Sequence, residues 1–231
     1  MPKLSILSGG AAQGLVKALE AEFTEASGYE IDGVFGAVGA MRARLAAGHP
    51  TDLVILTSAI VRALGGEGIV MPQTIVDLGG VETAIAVRED TPAPAVADEA
   101  SLRAALLAAD AIYFPDPEQA TAGVHFADVL RRLGIASEVS SRLRTFPNGA
   151  TAMRALAAAA EARAIGCTQV TEIRMTPGVM IAATLPRGFD LKTLYTAGII
   201  ASSSQRDAAS SLLGLLTSEH HAALRAQCGF V

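Results

Sequence analysis

Three times within about sixty residues, a short apolar run stops at a turn of small residues and a helix-period pattern begins. Lys3 to Leu7 reads as a strand that ends at Ser8-Gly9-Gly10. Leu15, Leu19 and Phe23 follow at spacings of four, with Ala12 and Val16 alongside, and Gly28 stands where a helix C-cap belongs. Glu30 to Phe35 alternates like a strand into Gly36-Ala37-Val38-Gly39. Met41 and Leu45 then mark one helix face, closed by Gly48 and Pro50. Asp52 to Leu56 is an apolar strand, and Thr57-Ser58 opens a third helix. A β-turn-α unit repeated in this way predicts a parallel sheet with helices packed on its faces. All three helices then start at the carboxyl edge of the sheet, where open α/β folds bind ligands.

A second set of β/α units follows. Val81 to Arg88 reads as a strand, Glu89 to Ala95 as a Pro-rich loop, and Ser101 to Ala109 as a helix with Ser101 as its N-cap. Ala111 to Phe114 is a short strand that Pro115-Asp116-Pro117 breaks. Thr121-Ala122-Gly123 opens a helix through Leu133, with Gly134 as its cap. Asn148-Gly149 precedes an alanine-rich helix expected from Ala150 to Arg163, and Ala164 to Val170 reads as a strand. Val179 to Leu185 and Leu194 to Ser202 are apolar, and a final helix is expected from Gln205 to Ala226. No fixed-period repeat runs through the chain.

The recurring element is a small-residue turn, often carrying a hydroxyl, directly before a helix. Such a turn leaves backbone N–H groups free and aims them, with the positive end of the helix dipole, at one spot. That arrangement binds an anion without Lys or Arg. Glycine and alanine allow close approach of the backbone, while Ser8, Thr57, Ser58 and Thr121 add hydroxyl donors. Capping explains any one of these turns; the set of them on one sheet edge points to a ligand. Arg42 and Arg44 follow the second turn, and at most one of them faces the same side.

Other chemistries lack their marks. Gly9-Gly10 with Gly14 has the wrong spacing for a dinucleotide fingerprint, no Lys-Ser/Thr follows as in a phosphate-binding loop, and no GxSxG elbow occurs. The histidines are scattered, adjacent His220 and His221 point about 100° apart on a helix, and no metal site or cofactor is expected. Cys167 and Cys228 read as two thiols rather than a disulfide. With 18 basic against 23 acidic residues and no basic patch, nucleic acid is not an expected partner. No apolar stretch is long enough to insert in a membrane. Residues 1–15 contain no signal peptide, so the location is expected to be periplasmic if a leader was removed and cytoplasmic otherwise.

The segments LSILSGGAAQGLVKALEAEFTEASGYEI, GVFGAVGAMRARLAAGHPTDLVIL, FPDPEQATAGVHFADVLRRLGI and TSEHHAALRAQCGF resemble the periplasmic type II solute-binding proteins, in the molybdate-binding-like branch, over nearly the whole chain. The resemblance implies an α/β fold of two lobes, each a mixed sheet flanked by helices, with the ligand cleft between them. Residues 1–80 with 194–231 are expected to form the first lobe and 81–193 the second, with crossing strands near 81–88 and 194–202. It also implies ligand contacts at Ser8, Gly9 and Gly10, at Ala37 and Val38, at Ala122 and Gly123, at Asn148, Gly149 and Ala150, and at Cys167 and Thr168. Molybdate binders of this branch carry hydroxyls in the second turn, where this chain has Ala37-Val38, and a tyrosine where it has Cys167-Thr168. A buried oxyanion short of donors is costly, so an organic carboxylate is favoured over molybdate.

Two functions follow from the resemblance. The first is a solute-binding protein that closes on a small anion for ABC-type uptake, with a permease as partner. The second is an aconitate-isomerase-like enzyme, which shifts a double bond in a tricarboxylate by proton transfer. His125 is the candidate base for the enzyme, with Glu172 behind it. A sensing domain without catalysis is a third class, and it would need a separate partner because no DNA-binding helix-turn-helix is present.

Overall fold

A computed structural model describes residues 1–231. In chain order the elements are β1 (Lys3–Gly9), α1 (Gln13–Ser27), β2 (Glu30–Gly36), α2 (Val38–Ala46), β3 (Leu53–Thr57), α3 (Ser58–Gly66), β4 (Val76–Arg88), α4 (Glu99–Ala108), β5 (Ala111–Pro115) and α5 (Thr121–Arg132). There follow α6 (Ala136–Val139), β6 (Leu143–Phe146), α7 (Gly149–Ala157), β7 (Ala164–Gln169), α8 (Val170–Arg174), β8 (Val179–Thr184), β9 (Lys192–Ile199), α9 (Arg206–Thr217) and α10 (Ala222–Cys228). The chain divides into two compact units, Met1–Val81 with Thr193–Val231, and Glu82–Lys192.

In unit 1, β1 lies between β2 and β3 and is parallel to both, and β9 adds to β3 antiparallel. Its core is aliphatic: Leu4, Leu7, Leu15, Leu19, Phe23 and the LVIL run of β3 are all buried. The helix face Leu15, Leu19, Phe23 is the stripe of fours seen in the sequence, and Gly28 ends α1 in the left-handed conformation at φ 74°. His221 is held between α1 and the final turns, with Nε2 3.0 Å from Glu22 Oε2 and Nδ1 3.2 Å from the Leu215 carbonyl oxygen.

In unit 2, β5 is parallel to β6 and to β7, while β4 is antiparallel to both β7 and β8. Apolar clusters cover both faces of this sheet, one built on Phe114, Phe126 and Leu130, the other on Met153, Leu156 and Ile173. The chain is therefore α/β throughout, with a mixed sheet in each unit. No helix is long and apolar enough to cross a membrane.

β4 begins at Val76 rather than Val81, and Val170 opens α8 rather than closing β7. Three further differences have a local reason. Ser101 is not the N-cap of α4. Asp98 is, accepting from the Ser101 N–H at 2.8 Å while Ser101 Oγ accepts the Asp98 N–H at 3.0 Å, so the two share a capping box. The alanine-rich helix α7 ends at Ala157 rather than Arg163. Arg88 binds the carbonyls of Ala159 and Glu161, which fixes the following segment outside the helix despite its alanine content. The final helix is two helices, because Ser218 is extended (φ −54°, ψ 137°) and its side chain accepts the His220 N–H.

Candidate functional site

The parallel register of unit 1 sets three turns side by side. Ser8 is opposite Phe35 on β2 and Ile55 on β3, and Gly9 is opposite Gly36. The helices after β1, β2 and β3 therefore begin along one edge. Neither Gly9, before the single 3-10 turn Gly10–Ala12, nor Ala12, Ala37 or Thr57, before α1, α2 and α3, gives a side-chain cap to the helix that follows. Those first turns are free of any side chain of their own that would consume their amides.

The side chains around these turns are more committed than the sequence suggested. Ser8 is fully buried, and its hydroxyl donates to the Gly9 carbonyl at 2.9 Å. Gly9 is glycine for want of room: a Cβ there would stand 2.9 Å from Tyr195 Cε1 and 3.2 Å from Val38 Cγ2. Ala37 and Val38 are buried in the unit 1 core and bring no polar atom beyond their backbone. Ser58 Oγ accepts from Arg62 Nε at 2.9 Å. Arg62 also donates to both oxygens of Asp77, and Asp77 accepts from Thr196 at 2.6 Å. Thr57 is half-buried and forms no cap. Arg42 and Arg44 are exposed.

In unit 2, α5 begins at Thr121 without a side-chain cap, and Ala122 and Gly123 are buried. A Cβ on Gly123 would overlap the carbonyls of Pro115 and Asp116, so this glycine seats the helix on the end of β5. His125 Nε2 lies 2.7 Å from the Phe189 carbonyl oxygen, and that nitrogen donates to it. Two turns on, Arg132 donates to the Gly188 carbonyl and stacks 4.6 Å over the Phe189 ring. These two residues fasten the turn around residues 186–190 to α5. His125, the expected candidate base, thus has its Nε2 engaged by the Phe189 carbonyl, and Nδ1 is its other ring nitrogen.

The start of α7 is closed from inside. Asn148 Oδ1 accepts the Thr151 N–H and the Thr151 hydroxyl, both at 2.9 Å. Glu172, buried at 5% exposure, brings its carboxylate to the same first turn from α8. It accepts from the N–H groups of Gly149, Ala150 and Gln169, and from Thr168 Oγ1 at 2.6 Å. A Cβ at position 149 would overlap Glu172 Oε2 and Thr168 Oγ1, so the carboxylate occupies the space that a side chain would need. Burial pushes the Glu172 carboxyl above the ordinary glutamate range, against the four donors that favour its charged form.

Two expected contacts in this unit therefore take a different form. The amides of Gly149 and Ala150 and the Thr168 hydroxyl are engaged by Glu172. The Cys167 side chain lies in the unit 2 core, where burial drives its thiol well up, so it is a neutral apolar group. Sequence reasoning gave Glu172 only a minor part and passed over Gln169 and Tyr195, both buried. The visible signal was the polar run Thr168-Gln169 at the end of an otherwise apolar strand. No group of three or more His, Cys, Asp or Glu could hold a metal.

Residues 4–231 match the family described as bacterial extracellular solute-binding protein. The chain belongs to that family. This solute-binding protein is also 27% identical over 222 residues to an aconitate isomerase of a Pseudomonas species, across 94% of this chain and 82% of that protein. Among solved structures, the periplasmic molybdate-binding protein of Azotobacter vinelandii aligns with a TM-score of 0.78 at 16% identity, covering 99% of this chain and 98% of that one. The sulfate-binding protein SubI of Mycobacterium tuberculosis H37Rv aligns with a TM-score of 0.74 at 15% identity, covering 100% of this chain and 86% of that one. At such identities these likenesses establish the fold, the two-lobed type II periplasmic-binding architecture.

Proposed function

We propose that this solute-binding protein takes a small organic anion, a di- or tricarboxylate, in preference to molybdate. The observation that carries this reading is the set of uncapped helix starts along one edge of unit 1, beside turns in which Ala37 and Val38 replace hydroxyl residues. Open first turns attract negative charge, and apolar neighbours suit a carbon skeleton better than a tetrahedron of oxygens. Thr57 adds a hydroxyl, and Thr121 in unit 2 another. The reading makes the chain the exported receptor of an ABC permease. A thermal-shift panel of molybdate, tungstate and sulfate against citrate, aconitate and tricarballylate tests it, since a ligand that binds the native state alone raises the transition temperature with its affinity. Carboxylates should give the largest shifts, and a molybdate shift above all of them would sink the proposal.

A second reading, isomerisation of a tricarboxylate, is favoured by the 27% identity to aconitate isomerase across 94% of the chain. With His125 Nε2 donating to Phe189, the atom left to take a proton is Nδ1. Following the ultraviolet absorbance of cis- or trans-aconitate mixed with the protein tests this directly. Tight binding without conversion would leave the first reading alone.

A further inference from the structure

Asn148 is the single asparagine of the chain, and a glycine follows it. Asparagine is a thermolabile residue, and glycine, with no Cβ, leaves its own nitrogen open to close a ring on the asparagine side chain. We propose that the Asn148-Gly149 bond is a latent self-modification site that Glu172 holds unreacted in the folded protein. Each opening of the first turn of α7 exposes the bond to a deamidation that bars the turn from closing as before.

The chemistry needs only water. The Gly149 nitrogen gives its proton to solvent base and bonds to Asn148 Cγ, the Cγ–Nδ2 bond breaks, and Nδ2 leaves as ammonia. Water then opens the cyclic imide at either carbonyl, leaving an aspartate or an isoaspartate at position 148. In the imide, Cγ lies in the peptide plane at the place the Gly149 hydrogen held. In the structure that hydrogen is donated to the buried Glu172 carboxylate. Asn148 Cγ is itself held away, because Oδ1 accepts from the Thr151 N–H and hydroxyl, both at 2.9 Å. Ring closure therefore requires the Glu172 contact and the cap to be given up together, which is a local opening of the helix start.

The product does not suit the place. Asparagine and aspartate cap helices about equally well in general. Here an aspartate would set a second carboxylate on the turn that Glu172 already meets, and in a buried setting like charges repel strongly. An isoaspartate runs the backbone through the side-chain carbon and removes the cap outright. The position beside Glu172 thus favours a neutral cap, and lability comes with it.

Peptide mapping by mass spectrometry, after the whole protein has stood in mildly alkaline buffer, reads conversion at residue 148. Folded wild type should convert at least tenfold more slowly than the same chain unfolded in guanidinium, and equal rates would overturn the proposal. Folded Glu172→Ala should convert at least tenfold faster than folded wild type. Leu19→Ala, which weakens the core of unit 1 instead, should leave the folded rate unchanged. No acceleration in Glu172→Ala, or the same acceleration in both variants, would remove Glu172 as the guard and the proposal with it. If Glu172→Ala does not fold, wild type decides below its unfolding transition. Conversion should there rise with denaturant in step with hydrogen exchange at the Gly149 and Ala150 amides, and conversion that stays flat while exchange rises would refute the proposal. For the one-way step, Asn148→Asp should melt a few degrees below Asn148→Ser in the same buffer. An equal or higher melting temperature for Asn148→Asp would show that the product fits the turn, against the proposal.

Discussion

In unit 1 the helices that follow β1, β2 and β3 begin with no side-chain cap, whereas in unit 2 α7 begins beneath both Asn148 and Glu172. The two units use the same element, a parallel strand leading through a small-residue turn into a helix. They differ in what meets the free amides. An open start is available to a ligand and contributes little to stability. A start filled by the chain's own groups contributes to stability and is closed to a ligand. Helix starts that look alike in sequence can thus belong to the binding surface or to the scaffold, and the side chains that arrive from elsewhere decide which.

The largest expected effect comes from filling the closed start. Gly149→Ala should destabilise the protein by about 3 kcal/mol, because the added methyl displaces a buried, hydrogen-bonded carboxylate. Chemical denaturation would measure it, and a change below about 0.5 kcal/mol, as for an ordinary surface site, would show that the carboxylate moves aside freely. Next comes the pH response. The folded-state value of Glu172 is raised, so its stabilising contribution is fully present below the unfolded value and is lost as pH rises through the folded one. Wild type should therefore gain stability relative to Glu172→Gln as pH falls from neutrality into the carboxyl range, and parallel melting curves for the two would contradict this. Asp110, held low by exposed Arg163, runs in the opposite direction and is common to both proteins.

Smaller effects separate the two kinds of start directly. Asn148→Ala should lower stability by about 1 kcal/mol through loss of its cap. Thr57→Ala removes no cap, so its melting temperature should correspond to a change within about 0.5 kcal/mol, while under the proposed carboxylate reading its affinity for that ligand should fall about tenfold through loss of one hydroxyl donor. If Thr57→Ala proves as destabilising as Asn148→Ala and binds normally, the distinction between the units fails.

Much of the scaffold was legible in the residues. The stripe of Leu15, Leu19 and Phe23, the left-handed Gly28 and the β-turn-α repetition follow from local periodicity, and the structure realises them. The α/β class follows from the same pattern, whereas the mixed sheets were implied by the family resemblance and not by the periodicity, which pointed to a parallel sheet. What escaped is tertiary. Nothing around Thr171-Glu172-Ile173 announces that the carboxylate will reach the start of α7, because that contact depends on how β7 and α8 pack. Ser101 misled because Asp98 and Ser101 are both good caps and the structure uses both. The alanine run misled because Arg88, distant in sequence, claims the carbonyls after it. At His125 the local pattern set the helix correctly, but its partner Phe189 comes from a turn that the pattern does not connect to it.

The position of β9 beside β3 bears on how the chain is made. β1, β2 and β3 pair with one another inside the first 57 residues, and they can do so early in synthesis. Until residues 192–199 emerge, however, β3 is the unguarded margin of that nascent sheet, and its Leu53-Val54-Ile55-Leu56 stretch is wholly apolar. Such a margin invites pairing with a neighbouring chain. The late strand therefore acts as a safety catch for the early one, and truncation before β9 should yield aggregates rather than a smaller folded piece.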